Sequence, residues 1–481
     1  MAEEQTQQQT TQLGDISEDG VFLDILFGTA DNDEQDQLLV AAVNVIISEL
    51  EEEDDEEDRE AGVPKKRKWG GSEANRSKNK SREFDTADSQ LRKHCFNGED
   101  SVYNEVDFLC RFGLPRAHFC MVYEAVKDEP TFRRKYDAFG RHGITALCCV
   151  TSCMRYLVYR TAADREDEYL QLSETVVLAS IKSFTRHIIE KFSCQYLNRS
   201  PTMEEKVHCM NLMARSGFPG IFGSIDCKHF VWIMCPLREA GAYKGKERKK
   251  TIILETITDR EGYFWFTFFG EPGSLNDLNI LNKSTTISSL CNGTFDLGVP
   301  KFQVGTVVRD FLAFLGDGIY PEWSIFVRTI SAPINQREAK FAHRHEFVRK
   351  DVERGFGQFV KRFQCCDRPF RFWYLEDIIA LLNCCLILQN MSVEYNRGGF
   401  VFKDLMAETP EAATPCAPEE LRVHSLYRTD PGTVAGEEGA PDFASKAHKI
   451  ATVYDNMVNE GEHREYQEAL LEHISNEYRA P

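Results

Sequence analysis

The order of apolar and polar residues divides this chain into a helical part, a strand-rich part and two polar ends. From about 100 to 220 the apolar positions recur at helical spacing. Phe108, Phe112, Phe119, Met121, Val122 and Val126 come first, followed by the striped segment from Ile144 to Tyr159. Ser173 is placed to cap a helix running to about Phe192, which carries Lys182, Arg186, His187 and Lys191. The short turn before it permits a helix-turn-helix, although an ordinary bundle with a solvated face fits the pattern at least as well. After Gly217-Phe218-Pro219-Gly220 the period changes, and short β-rich runs are predicted at 221–230, 251–258, 263–269 and 311–315. Asp259-Arg260-Glu261-Gly262 joins the second and third as a hairpin. Helices are predicted over 342–361 and 375–395. Strands followed by helices give an α+β fold, a mixed sheet covered by helices.

The ends differ in kind. Residues 1–95 read as largely disordered, with one amphipathic helix near 35–50 and an acidic run over 51–60 that cannot bury enough surface to order itself. Pro64-Lys65-Lys66-Arg67-Lys68 is a basic cluster of nuclear-import type, which predicts a nuclear protein with a cytoplasmic pool. Residues 397–481 read as an acidic flexible tail, with a helix near 444–478. The expected division is therefore 1–95, a helical and DNA-binding region 96–215, a catalytic region 216–396, and the tail.

Charge sharpens this picture once it is partitioned. The net charge is −19, but residues 1–60 carry −19 and 401–481 carry −9, so 61–400 stands at +9. A basic middle between acidic ends is compatible with a DNA-binding core. The apolar clusters at 22–27 and 378–388 are shorter than the ~18 residues of a membrane span, so a soluble intracellular protein without a membrane partner is expected. The 16 cysteines lie mainly in apolar stretches, which predicts reduced, buried thiols. Adjacent pairs such as Cys365 and Cys366 are expected not to point at one metal.

The candidate chemistry lies in three carboxylates. Asp226 in Gly223-Ser224-Ile225-Asp226-Cys227 and Asp317 in Phe314-Leu315-Gly316-Asp317-Gly318 each follow an apolar run and border small residues. Glu353 lies on a predicted helix whose apolar face is formed by Phe347, Val352, Phe356, Phe359 and Phe363. Three carboxylates converging from two strands and a helix repel one another unless hard divalent cations intervene. Two such ions would clamp the attacking and leaving oxygens of a phosphodiester. Asp277 is the rival ligand, though it also reads as the N-cap of a helix over 278–281. Basic residues flank these acids: Lys228 and His229, the dense cluster Lys244, Lys246, Arg248, Lys249 and Lys250, and Arg349 with Lys350. They suit phosphate contacts. Trp232 could stack on an exposed base or belong to the core.

Several motifs in order resemble the Harbinger-type DNA transposases, especially their plant-transposon-protein branch. They are Gly217 to His229 with Cys235-Pro236, Leu254 to Asp259, Gly270 to Asn279, Gly316 to Pro321, Arg349 to Phe356, and Leu388 to Met391. Upstream, Ala162 to Leu170 also looks like that branch, so the resemblance covers roughly 105–395. It departs where Asn276 and Gln389 stand in place of the family's histidines. The resemblance implies a ribonuclease H-like fold with an Asp226, Asp317, Glu353 triad and two Mg2+ or Mn2+ ions, cutting double-stranded DNA at transposon ends. It further implies a separately encoded Myb-like DNA-binding partner and a homo-oligomer that pairs two ends. A host-retained, catalytically silent DNA-binding or scaffold protein of the same descent is the alternative.

Overall fold

The computed structural model describes residues 82–397 and 452–476, apart from 137, 138, 161, 198, 246, 247 and 294. The predicted helix at 35–50, the basic cluster at 64–68 and most of the tail lie outside the described residues.

The N-terminal helices are α1 (Phe84–Cys95), α2 (Glu105–Phe112), α3 (Arg116–Val126), α4 (Ala146–Tyr159), α5 (Glu174–Tyr196) and α6 (Met203–Arg215). Folded chain thus begins before residue 95. Ala87, Leu91 and Cys95 recur every four residues and are buried, a short stripe overlooked beside the polar run that precedes it. Asn104 and Thr145 cap α2 and α4 by accepting backbone N–H bonds, and Thr202 with Glu205 forms a capping box on α6.

The strands are β1 (Ile221–Val231), β2 (Thr251–Thr258), β3 (Phe264–Pro272), β4 (Gly298–Val304), β5 (Val307–Phe311), β6 (Ala313–Gly316) and β7 (Phe326–Arg328). Five of them form a mixed sheet in the order β3-β2-β1-β6-β7, and β4 with β5 makes a separate hairpin. β1, β2 and β3 are antiparallel neighbours, while β6 and β7 run parallel to β1. The expected single strand at 311–315 is broken at Leu312, its two halves belonging to different sheets. The β2–β3 hairpin forms as predicted. Asp259 organises it, accepting bonds from the Glu261 and Tyr263 backbone and from Trp265 Nε1, while Arg397 closes the network.

Helices α7 (Asp277–Lys283) and α8 (Thr286–Cys291) follow β3; α9 (Gln336–Arg349), α10 (Asp351–Arg362), α11 (Gln364–Asp367) and α12 (Leu375–Arg397) follow β7. One apolar core joins α1 to α5 with Phe230, Ile252, Leu254 and Phe264 of the sheet and with α10 to α12. The helical region and the sheet therefore share a core across residue 215. The other sheet face packs on α6, α9, the β4–β5 hairpin and α13 (Glu460–Asn476). The C-terminal helix is thus docked: Tyr466 donates to the Pro219 carbonyl at 2.7 Å, and Leu470 and Ile474 are fully buried. Gly220, at φ 82°, leaves room for the Tyr466 hydroxyl where β1 begins.

α12 is long and apolar enough to cross a membrane by length and composition, yet most of it is buried inside the fold. Its Asn390 clamps the start of β3, accepting from Phe264 N and donating to the carbonyls of Phe264 and Tyr196.

Candidate active site

The register of the sheet decides which acids meet. Ser224 on β1 pairs with Leu315 on the parallel β6. Two residues further along each chain stand Asp226 and Asp317. Asp226 therefore stands within β1 beside the end of the neighbouring parallel strand, ~5 Å away in the pairing direction, that Asp317 follows. β6 ends at Gly316, so Asp317 opens the following turn, where its Oδ1 accepts from Ile319 N at 2.6 Å.

Glu353 arrives on α10. Val352, Phe356, Phe359 and Phe363 bury as predicted, but Phe347 does not. It lies on α9, which ends at Arg349, and it is 51% exposed; the kink at Lys350 turns it away from the face of α10. Gly355 lets α10 lie against the β2–β3 turn, since a Cβ there would stand 3.1 Å from Thr258 Cγ2.

Arg349 links these elements. Its Nη1 lies 3.5 Å from Asp226 Oδ2, and its Nη2 lies 3.3 Å from both Glu353 Oε1 and Glu346 Oε2. Sequence reasoning placed Arg349 on DNA, and the structure places its guanidinium between two of the three predicted carboxylates. Burial pushes the Asp226 carboxyl up to about 6, and Asp277 and Glu353 raise it further, against the opposing effects of the Cys227 N–H and Arg349. Asp277 is therefore an electrostatic neighbour of Asp226. It is not the N-cap of α7: Asn276 caps that helix, accepting from Asn279 N at 2.8 Å, and Asp277 takes the first helical position.

Two residues beside the site went unrecognised. Glu255 on β2 is fully buried, and burial pushes it up to about 7; Thr286 Oγ1 donates to its Oε2 at 2.9 Å. It pairs with Cys227, so its side chain lies on the face opposite Asp226. Tyr320, also fully buried, packs where Asp226, Cys227, Glu255 and Asp277 act upon it. Both lie inside the motifs Leu254 to Asp259 and Gly316 to Pro321 without standing out there, Glu255 because an acid within an apolar strand reads as an interruption of the strand.

The basic residues separate into two groups. Lys228 shares the face of Asp226 and lies 5.8 Å from the Phe356 ring centre, and Lys350 is exposed beside Glu353. His229 turns to the other face, its Nδ1 3.0 Å from Thr251 Oγ1. Lys244, Arg248, Lys249 and Lys250 form a turn into β2, with Lys244 and Lys250 bridged and Gly245 bonded to Lys249 O; Lys246 lies outside the described residues. Because Thr256 pairs with Asp226, the start of β2 stands five residues away, ~17 Å along the strand. Trp232 is core: it is buried, and its Nε1 donates to Phe372 O at 2.8 Å. The basic residues of α5 make ion pairs at the surface, Lys182 and Arg186 with Asp377 and Lys191 with Glu129, and stay partly exposed.

The described residues contain one group of potential ligand atoms that all lie within 4.8 Å of one another, and it is not the carboxylates. It comprises Cys365, Cys366 and Cys385, whose first two members are adjacent in sequence, contrary to expectation. Cys365 and Cys366 sit on α11 just after the break at Phe363, and Cys365 Sγ lies 3.7 Å from the sulfurs of both Cys366 and Cys385, the last on α12.

Residues 194–399 match the family described as plant transposon protein. The matched segment is similar to that family over 206 of the 481 residues. It runs from the end of α5 through the sheet to α12, and includes Asp226, Asp277, Asp317, Glu353 and Arg349. The match is consistent with a protein related to the PIF/Harbinger-type transposases. The plant-transposon-protein match begins at 194, so most of the N-terminal helices lie ahead of it. No curated protein and no solved structure matches the chain.

Proposed function

We propose that the chain is a divalent-metal DNA endonuclease of transposase type, with Asp226, Asp317 and Glu353 as the ligands of two Mg2+ or Mn2+ ions. The observation that carries this reading is the meeting of Asp226 and Glu353 on one guanidinium, with Asp317 directly following the parallel strand paired to β1. Three antiparallel strands followed by two parallel ones, in the order β3-β2-β1-β6-β7, are also what a ribonuclease H-like sheet requires. The donor set suits hard cations, being carboxylate oxygen throughout. Burial is the main reason that Asp226 is raised, and Asp277 and Glu353 add to it; a bound cation would offset both.

When bound, such ions would activate water or a 3′-hydroxyl and stabilise the leaving oxygen. The chain's own groups do the rest. Arg349 neutralises Asp226 and Glu353 before metal arrives and must move aside to admit it. Asp277 is the reserve carboxylate. Lys228 and Lys350 would receive phosphates next to the cut, while the turn carrying Lys244, Lys249 and Lys250 would hold the duplex about five base pairs away, at ~3.4 Å per pair. Double-stranded DNA, a Myb-like partner, a homo-oligomer and nuclear residence belong to the same proposal. DNA would be held beside the carboxylates rather than by a helix-turn-helix on α5, whose cations make ion pairs with the chain's own carboxylates.

The ion pairs of Arg349 favour a second reading, a silent host-retained DNA-binding or scaffold protein, since they neutralise the acids without metal. Nicking of supercoiled plasmid by the full chain separates the two. Nicking with Mg2+ or Mn2+ that disappears in Asp317→Ala supports the nuclease. Salt-sensitive DNA binding without nicking under any metal supports the silent protein.

A further inference from the structure

We propose that Cys365, Cys366 and Cys385 form a three-thiolate site for one soft d10 metal ion, Zn2+ or Cu+, separate from the carboxylate site. Cys365 Sγ lies 3.7 Å from the sulfurs of both Cys366 and Cys385, and all three fall within 4.8 Å of one another. A point equidistant from sulfurs so spaced lies about 2.1–2.4 Å from each, which brackets the ~2.3 Å zinc–sulfur bond. The ligands need no rearrangement to close on an ion.

Their surroundings supply what a buried thiolate set requires. All three are buried, so water cannot compete for the ion. Arg160 is the nearby countercharge, its Nη2 donating to the carbonyl of Pro369 just beyond α11. Three thiolates around a divalent ion leave one negative charge, which that guanidinium offsets; an unbalanced buried charge would cost several kcal/mol. Thiolate donors select Zn2+ and Cu+ over Mg2+ or Ca2+. With three ligands, Cu+ completes its shell and Zn2+ keeps a fourth position open. Because the sulfurs come from α11 and α12, the ion would tie the short helix that follows α10 to the central buried helix. Without water access, it enters as the chain folds, making metal binding part of folding.

The test uses the full chain with the exposed Cys110, Cys120 and Cys194, and Cys416, replaced by serine. It is purified under reducing conditions and its metal content measured, then stripped and refolded with Zn2+ or with Cu+. One ion per chain is expected, with X-ray absorption showing three sulfurs at ~2.3 Å, and with a fall in Tm on stripping. Which ion restores Tm identifies the occupant. Cys385→Ser should abolish this binding, whereas Cys384→Ala, the neighbouring buried thiol outside the trio, should retain it. Should Cys385→Ser fail to fold, the sulfur count on the parent chain still decides. Less than one ion per ten chains, oxygen or nitrogen ligation, or a Tm indifferent to both ions would overturn the proposal and leave three packed thiols.

Discussion

Two clusters of potential ligands share this fold, and they are prepared in opposite ways. The carboxylates of Asp226, Asp317 and Glu353 are half-buried or exposed, come from three elements, and have an arginine between two of them. The thiols of Cys365, Cys366 and Cys385 are buried, come from two helices, and already stand at bonding separation. The physical difference lies in what each group tolerates without metal. Neutral thiols pack as small apolar side chains and can close together. Carboxylates remain charged, repel one another and need a cation at once, which Arg349 provides. A catalytic oxygen site can therefore be organised by register and yet look open, while a structural sulfur site looks complete.

The largest expected effect falls on the carboxylate side. Asp226→Asn or Glu353→Gln should slow cleavage roughly a thousandfold, the equivalent of ~4 kcal/mol of transition-state stabilisation, with DNA affinity nearly unchanged. Single-turnover nicking beside a binding titration checks this, and comparable cleavage by either variant would remove the assignment.

A smaller effect concerns stability and pH. Asp226 is raised from 3.8 to about 6, so the folded state holds its proton where the unfolded chain has lost it. Its contribution is present at low pH and lost as pH climbs from about 4 to about 6. Metal-free Asp226→Asn should thus be more stable than the parent by about 1–3 kcal/mol at pH 7.5, and equal to it near pH 3. Urea unfolding at the two pH values measures the difference; a stabilisation independent of pH would mean that charge is not its cause.

The smallest effect lies ~17 Å from the acids. Replacing Lys249 and Lys250 with alanine should weaken DNA binding about tenfold and reduce the slope of log affinity against log salt by about 2. An unchanged slope would show that this turn does not touch phosphate.

How much of this was legible follows the same division. β2 over 251–258 and its hairpin were read directly, since strand periodicity and turn chemistry are local signals. Asp226 and Asp317 stood out because each follows an apolar run and borders small residues, Glu353 because its helix carries an apolar face, and the sheet pairs β1 with the strand that Asp317 follows. What sequence could not carry is contact across distance. Nothing local says that Arg349 turns inward to acids rather than outward to phosphate, that Trp232 bonds to Phe372 O, or that Cys385 meets two cysteines twenty residues earlier. Asn276 was passed over as a cap because the acidic neighbour drew the assignment. The docking of α13 was hidden by the long acidic segment before it, whose composition dominates the apolar stripe of Tyr466, Leu470 and Ile474.

The most direct measurement of the central claim is the binding of Mn2+ to the full chain, followed by electron paramagnetic resonance or calorimetry. The account predicts two ions per chain in the parent, clear loss of binding in Asp317→Ala, and tighter binding in Arg349→Met, where the competing guanidinium is gone. No binding to the parent, or binding undiminished in Asp317→Ala, would contradict it.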